Sequence, residues 1–340
     1  MHPTIHSRAP LRLGISGGGT DIKSYSDQYS GCVLNVTIDR YAYASIKLLD
    51  GNLVKFIASD LEITETYHTN QIQHNQLKLH SHVYLKMISR FNQNTPIAME
   101  LSTYCDAPIG SGLGSSSAIV VALIKAFDEL LHLSLSEYEI AKLAVEIERQ
   151  DCNLAGGQQD QYAAAFGGLN FIEFELDNVF VTPLRLKPWI INELESSIIM
   201  FYTGVSRESA KIIQDQNTGI QQHNTNTLQA LDQLKIETRS LTKSILLGDF
   251  TAITNSLNKT WLCKKATASS VSNTYIEQIF ESAISAGASA GKISGAGGGG
   301  FMWFLTSIEN RWSVIKSLEQ HQGQISTVHF TKHGVQSWKI

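Results

Sequence analysis

Pro108-Ile109-Gly110-Ser111-Gly112-Leu113-Gly114-Ser115-Ser116-Ser117-Ala118 is the stretch on which the reading of this chain turns, and the apolar run Ile119 to Leu123 follows it without a break. Glycine takes φ > 0 freely and lets backbone approach a ligand, so successive N–H groups can point into one concavity. Serines at the start of a helix can cap its free N–H groups, and the positive end of the helix dipole then faces the same concavity. Such a loop suits an anion, above all a phosphate. Upstream, Ile97 to Tyr104 reads as a strand, which makes the stretch a strand–loop–helix connection. It is not a Walker loop, because Gly114 is followed by Ser115 and no lysine. Nor is Gly110-x-Gly112-x-Gly114 the spacing of a dinucleotide fold. The plain alternative for this segment alone is a flexible turn that caps a helix.

Composition narrows the field. A chain of 340 residues has room for two domains, and 43% hydrophobic against 17% charged residues allows sizeable cores. A net charge of −4 offers no electrostatic case for nucleic acid or anionic membrane. No apolar stretch approaches the ~20 residues of a membrane span, and the first residues lack the apolar core of a signal peptide. Cys32, Cys105, Cys152 and Cys263 lie far apart, with no Cys-x-x-Cys pair. His80-x-His82 falls in an expected helix, where such a pair does not share a face. The expectation is a soluble, cytoplasmic chain.

The elements follow in order. Residues 5–16 alternate as a first strand that ends at Gly17-Gly18-Gly19-Thr20-Asp21. Cys32–Leu49 and Leu53–Ala58 flank Asp50-Gly51-Asn52, a hairpin turn sequence. Helices are expected near 77–91, 116–132 and 136–150, the last opened by Ser136 and Glu139 in capping-box spacing. Strands are expected at 168–176 and 179–186. Pro183 and Pro188 bracket a boundary that divides the chain into 1–187 and 188–340. Beyond it come a strand at 198–202, helices near 207–215, 221–247, 249–264 and 272–287, a strand pair around Gly295–Gly300, a helix near 308–320 and terminal strands. Strands and helices that segregate within each half, without strict alternation, give an α+β fold in both.

Two further glycine clusters stand near the ends: Arg8-Ala9-Pro10-Leu11-Arg12 with Gly17-Gly18-Gly19-Thr20-Asp21, and Lys292-Ile293-Ser294-Gly295-Ala296-Gly297-Gly298-Gly299-Gly300. Gly295-x-Gly297-x-x-Gly300 matches the dinucleotide fingerprint literally, but Phe301 to Leu305 reads as a strand where that fold needs a helix. Between the clusters, Gly156-Gly157-Gln158-Gln159-Asp160 follows Glu146-Ile147-Glu148-Arg149. Asp160 suits a general base or a metal neighbour as well as it suits an N-cap.

Together the three glycine regions resemble the motifs of the GHMP small-molecule kinases, in order and across nearly the whole chain. The triple-glycine form, with Tyr202-Thr203-Gly204-Val205-Ser206-Arg207-Glu208-Ser209, looks like the family's heptose 7-phosphate kinases and related sugar-1-kinases; galactokinases carry Gly-Glu-His-Thr-Asp in place of Gly17–Asp21. The resemblance implies a two-domain fold, ribosomal-protein-like in the N-terminal half and ferredoxin-like in the C-terminal half. It implies ATP and Mg²⁺, and phosphorylation of the anomeric hydroxyl of D-glycero-D-manno-heptose 7-phosphate to the 1,7-bisphosphate. Phosphoryl transfer needs positioning and charge neutralisation more than covalent chemistry.

By the same resemblance, Pro108, Gly110, Ser111, Gly112, Leu113, Gly114, Ser115, Ser116 and Ser117 cradle the triphosphate. Ser116 and Glu148 hold the metal, with Glu148 preferred to Glu146 because it stands twelve residues before Asp160, as in galactokinases. Asp160 accepts or orients the hydroxyl proton, Arg12 stabilises developing charge, and Asp160 is expected to add little to the stability of the core. Gly17, Gly18, Gly19, Thr20 and Asp21 face the sugar, and Gly295–Gly299, with Gly297 and Gly298 against the substrate, close that side near Asp160. Lys23, Arg207, Lys211 and Lys292 are the cationic candidates for a terminal phosphate. A fucokinase-like enzyme acting on an unphosphorylated sugar and a catalytically inactive sensor are the alternatives; retention of Asp160, Arg12, Glu148 and Ser116 together speaks against the sensor. A homodimer is compatible with the sequence.

Overall fold

The computed structural model describes residues 3–108, 110–204 and 209–340. Its first strand, β1 (Ile5–Ser16), is buried on both faces from Ala9 onward, as a strand covered by helices must be. It pairs antiparallel with β2 (Gly31–Leu48), with Ile5 opposite Ile46 and Arg12 opposite Thr37, and the register slips between Pro10 and Arg12. Proline has no N–H for the ladder, so a bulge is where a strand interior tolerates it. Bulges also re-aim the next side chain. Here that side chain is Arg12, whose N–H reaches Leu113 O of the glycine loop at 3.0 Å.

β2 serves two further neighbours. Ala42–Leu48 pairs with β5 (Met99–Cys105), and Gly31–Val36 pairs with β6 (Leu169–Glu175), which carries β7 (Asn178–Pro183). β5 pairs in parallel with β3 (Leu53–Ala58), and β3 holds β4 (Ile63–His68) at the edge. This overturns the hairpin expected at Asp50-Gly51-Asn52. The turn exists, with Gly51 at φ +93°, but β5 lies between β2 and β3. Turn chemistry specifies a local reversal, whereas a strand's partner is set by the burial of its faces. β4, which the sequence reading lacks, has only half-buried and exposed residues. The C-terminal strand β12 (Gln336–Lys339) returns to pair with β1, giving the order β12-β1-β2-β5-β3-β4.

Helices α1 (Lys23–Tyr29), α2 (Lys78–Phe91), α3 (Ser115–Leu131), α4 (Glu137–Glu146) and α5 (Gln159–Phe166) accompany this sheet. α3 is apolar nearly all round and lies against β1 and β2, buried without a gap from Ser117 to Ile124. α4 opens on the expected Ser136–Glu139 capping box, and one π-helical turn, Ile147–Asp151, extends it. In α2 the two histidines part as their spacing requires: buried His80 meets Thr103 Oγ1 at 2.8 Å, while His82 stacks on His74.

The second half holds α6 (Pro188–Ser197), β8 (Ile198–Tyr202), α7 (Ser209–Gln221), α8 (Thr225–Leu247), α9 (Phe250–Ala266), α10 (Thr274–Ser285), β9 (Ala288–Ile293), β10 (Phe301–Thr306), α11 (Arg311–Leu318) and β11 (Gln324–Ser326). Its antiparallel sheet runs β11-β8-β10-β9. In chain order that is fourth, first, third, second, the ferredoxin-like arrangement. The rejected dinucleotide fingerprint sits between β9 and β10. The fold is the expected two-domain α+β architecture. Among the described residues no helix is long and apolar enough to cross a membrane, and no three His, Cys, Asp or Glu side chains gather to hold a metal.

Candidate active site

The three glycine regions converge on one cleft of about 780 Å³. Gly110, Gly112 and Gly114 all take φ between +74° and +78°, the region only glycine enters without strain. A Cβ on Gly112 would also lie 2.3 Å from Ser294 O, so the middle loop and the C-terminal loop touch backbone to backbone. Phe301 N donates to Ser111 O at 2.8 Å and ties the same two loops. The N-cap of α3 is Gly114, which has no side chain to cap the helix. The expected serine cap is therefore absent. Ser115 Oγ meets Ser111 Oγ at 3.0 Å and Ser116 Oγ donates to Glu148, so first-turn N–H groups are left for a ligand.

Arg12 and Asp160 meet beneath this loop. Arg12 Nε and Nη2 both reach Asp160 Oδ1, at 2.8 and 2.7 Å. Its Nη1 donates to Gly112 O and to Ser294 Oγ. The guanidinium is buried, and three chain segments fix its fork. Asp160 lies in the first turn of α5, whose N-cap is Gln158, so the capping reading of Asp160 falls away. Its Oδ2 faces Gly114, close enough that a Cβ there would sit 3.2 Å from it.

Glu148 is fully buried. It accepts from Ser116 Oγ at 2.9 Å and from Gln161 Nε2, both neutral donors. Gln161 Oε1 beside it is buried without a partner among the described residues. A buried carboxylate with no cation among the described residues, a serine hydroxyl and an orphaned amide oxygen form a set of hard oxygen donors, which fits Mg²⁺. Glu146 is spent elsewhere, on Lys86 at 2.7 Å and Arg90 at 3.2 Å.

Comparison with known proteins agrees with this geometry. Residues 79–168 match the GHMP kinase N-terminal domain and residues 241–317 the GHMP kinase C-terminal domain. A D-glycero-alpha-D-manno-heptose 7-phosphate kinase of Campylobacter jejuni is 43% identical over 99% of both chains. The chain belongs to the GHMP kinases. The crystal structure of a D-glycero-D-manno-heptose 1-phosphate kinase from Bacteroides thetaiotaomicron superposes with a TM-score of 0.83 at 36% identity, covering 99% of each chain. A Lactococcus lactis galactokinase complexed with galactose shares the fold, with a TM-score of 0.79 at 17% identity, over 98% of this chain and 95% of that one. As a GHMP kinase, the protein is a phosphotransferase that uses ATP.

Not every candidate lines this GHMP kinase's cleft. Gly18, Gly19 and Asp21 do, with Gly110, Ser111, Gly112 and Gly114 to Ser117. Asp21 already accepts from Gly19 N, Gln158 N, Gln159 N and Gln159 Nε2, which binds the first glycine turn to the start of α5. Thr20 is turned inward: its hydroxyl donates to Gly17 O or Cys32 O and accepts from Cys32 N, so it builds the turn and does not face the sugar side. Pro108 and Leu113 support the loop from outside the lining; Leu113 is core. Gly297 and Gly298 pack on Val271, where a Cβ on Gly297 would meet Val271 O at 2.6 Å and Gly298 N donates to the same oxygen. Of the expected stretch Gly295–Gly299, it is Gly295 and Ala296 that line the cleft. Lys23 and Lys211 are exposed on helix surfaces outside the lining, and Arg207 lies outside the described residues.

Several contributors escaped the sequence reading. Ser294 joins Arg12, Gly14 N and Gly112 O. Arg149 reaches into the cleft and donates to Gly157 O at 3.0 Å. Lys264 of α9 donates to Gly18 O at 2.8 Å; in the same small cavity Lys292 of β9, already a cationic candidate from the sequence, donates to Gly14 O and Ile293 O. Both ammonium groups are buried. Burial pushes Lys264 down to about 8 against the opposing pull of Asp21, and pushes Lys292 to about 7, helped by repulsion from Lys264 and Arg12.

Proposed function

We propose that this kinase, working in the cytoplasm, transfers the γ-phosphoryl group of ATP to the anomeric hydroxyl of D-glycero-D-manno-heptose 7-phosphate. The product is the 1,7-bisphosphate, on a route to a nucleotide-activated heptose for surface glycans. The observation that carries the reaction class is the Arg12–Asp160 pair placed under the left-handed glycine loop. The full-length likeness to a heptose 7-phosphate kinase supports the acceptor.

The residues divide the work. N–H groups of the loop and of the first turn of α3 receive phosphate oxygens. Oδ1 of Asp160 is held by Arg12, which leaves Oδ2 to accept the hydrogen of the attacking hydroxyl and aim its oxygen. Arg12, desolvated and locked, opposes the charge that spreads over the transferring group. Ser116 and Glu148 would hold Mg²⁺, which supplies charge neutralisation on the phosphates when bound. The test is turnover of the purified protein with ATP and Mg²⁺ across heptose 7-phosphate, unphosphorylated heptose, fucose and galactose. Preference for heptose 7-phosphate is expected; equal or better use of an unphosphorylated sugar makes it a different sugar-1-kinase.

A further inference from the structure

Lys264 and Lys292 form a pair of buried cations that no carboxylate balances in an ion pair among the described residues. An ammonium carries three N–H donors. Lys264 spends one on Gly18 O, and Lys292 spends two on Gly14 O and Ile293 O, all backbone carbonyls. The two line a small cavity with Ser16, Gly17 and Thr260, and Gly18, Gln159, Lys264 and Gly295 belong both to it and to the main cleft. The pocket therefore adjoins the site of chemistry through Gln159, the residue next to Asp160.

Burying an ammonium costs free energy unless an opposite charge or full hydrogen bonding repays it. Two together cost more, and Arg12 nearby adds to the same field. Arg12 has its own counter-ion in Asp160. Asp21 faces Lys264, but its oxygens are engaged with the amides of Gly19, Gln158 and Gln159. What completes such an arrangement is an anion brought by a ligand. Lys23 and Lys211 supply no comparable field, since lysines on an exposed helix face are well solvated and screened.

Resting on the sugar-phosphate reading above, we propose that Lys264, backed by Lys292, receives the terminal phosphate of the acceptor sugar, so that a phosphate monoester remote from the reacting hydroxyl is required of the substrate. Lys264 makes the charged hydrogen bond with its free donors. Lys292 stays on Gly14 O and contributes field.

The test compares the unmutated protein with Lys264→Met, Lys264→Arg and Lys292→Met. Loss of one charged hydrogen bond raises KM for heptose 7-phosphate about 10-fold or more in Lys264→Met. KM for ATP stays where it is, and the preference for heptose 7-phosphate over unphosphorylated heptose collapses. Lys264→Arg recovers part of that preference, and Lys292→Met shows a smaller loss of the same sign, which serves as the second reading should Lys264→Met not fold. Calorimetric titration with inorganic phosphate should detect weak binding to the unmutated protein and less to Lys264→Met. If the unmutated enzyme prefers the sugar phosphate and both methionine variants keep that preference, the lysine assignment is overturned while the heptose 7-phosphate reading stands. If the unmutated enzyme shows no such preference, both fall.

Discussion

The two walls of the cleft bind negative charge by opposite means. On one side, Gly110 to Ser117 present neutral N–H dipoles at a helix start. On the other, Lys264 and Lys292 bury amino groups against carbonyl oxygens, and burial makes their charge hard to hold. A dipole cradle stands empty at little cost; its demand is steric, since the backbones of Gly112 and Ser294 must nearly touch. A lysine wall stands empty at a cost in stability, and its demand is electrostatic. The first wall should therefore fail when side-chain bulk is added, and the second should respond to pH and to anions.

Where the walls meet, the largest effect is expected from Asp160→Asn. Turnover should fall about 10²- to 10⁴-fold, the scale of a positioned acid–base group. A loop carboxylate read from sequence alone should leave the melting temperature unchanged. The ion pair with buried Arg12 alters that expectation: loss of the charge leaves a buried guanidinium short of its partner, at about 1–3 kcal/mol. A lowered melting temperature with ATP binding retained supports the paired geometry, and unchanged turnover would leave Asp160 without a part in the chemistry.

Gly112→Val comes next and probes the dipole wall alone. Valine resists φ of +78°, and its Cβ would enter the space of Ser294 O. The loop and the C-terminal strand pair must separate, and a displacement near 1 Å in a reacting geometry costs about 10²-fold. Nucleotide affinity should fall with turnover. A variant that binds ATP normally would show that the loop does not hold the phosphates. Ser116→Ala is milder: Glu148 loses one hydrogen bond, and activity should return in part as Mg²⁺ is raised. No response to Mg²⁺ would move the metal to another hydroxyl, Ser115 or Ser117 first.

The same contrast explains what the sequence disclosed. The dipole wall was legible because its chemistry is local: alternating glycines, then serines, then an apolar helix, all within Pro108 to Leu123. Asp160 and Glu148 were legible through spacing and resemblance, and the ferredoxin-like half through its strand–helix order. The lysine wall was only half visible. Lys292 stood inside a motif, but Lys264 sits beside Lys265 in a helix, and nothing local separates them. The fold does: Lys265 reaches Glu277 at the surface, while Lys264 is buried against Gly18. The hairpin expected at Gly51 failed for the same reason, because the insertion of β5 is decided by residues nearly fifty positions away.

The smallest effect, and the one that isolates the lysine wall, is the pH dependence of stability. Lys292 ordinarily titrates at 10.5, and burial brings it to about 7 in the folded chain. Below about 7 both folded and unfolded chains carry the proton, and the full cost of the buried ammonium is present. As pH rises through 7 the folded chain sheds that proton while the unfolded chain keeps it, so the folded state gains stability up to about 10.5. Lys264, with Asp21, Arg12 and Lys292 around it, follows the same course from about 8. Tyrosine and cysteine ionisations act on every variant alike, so the informative quantity is a difference. Lys292→Met should melt above the unmutated protein at neutral pH without ligand, and that advantage should shrink as pH is raised toward 9. Saturating heptose 7-phosphate should reverse the order, because the bound phosphate holds the lysines charged and turns their cost into binding. A melting difference that ignores both pH and the sugar phosphate would mean that the two lysines are merely structural, and that the second wall of the cleft binds nothing.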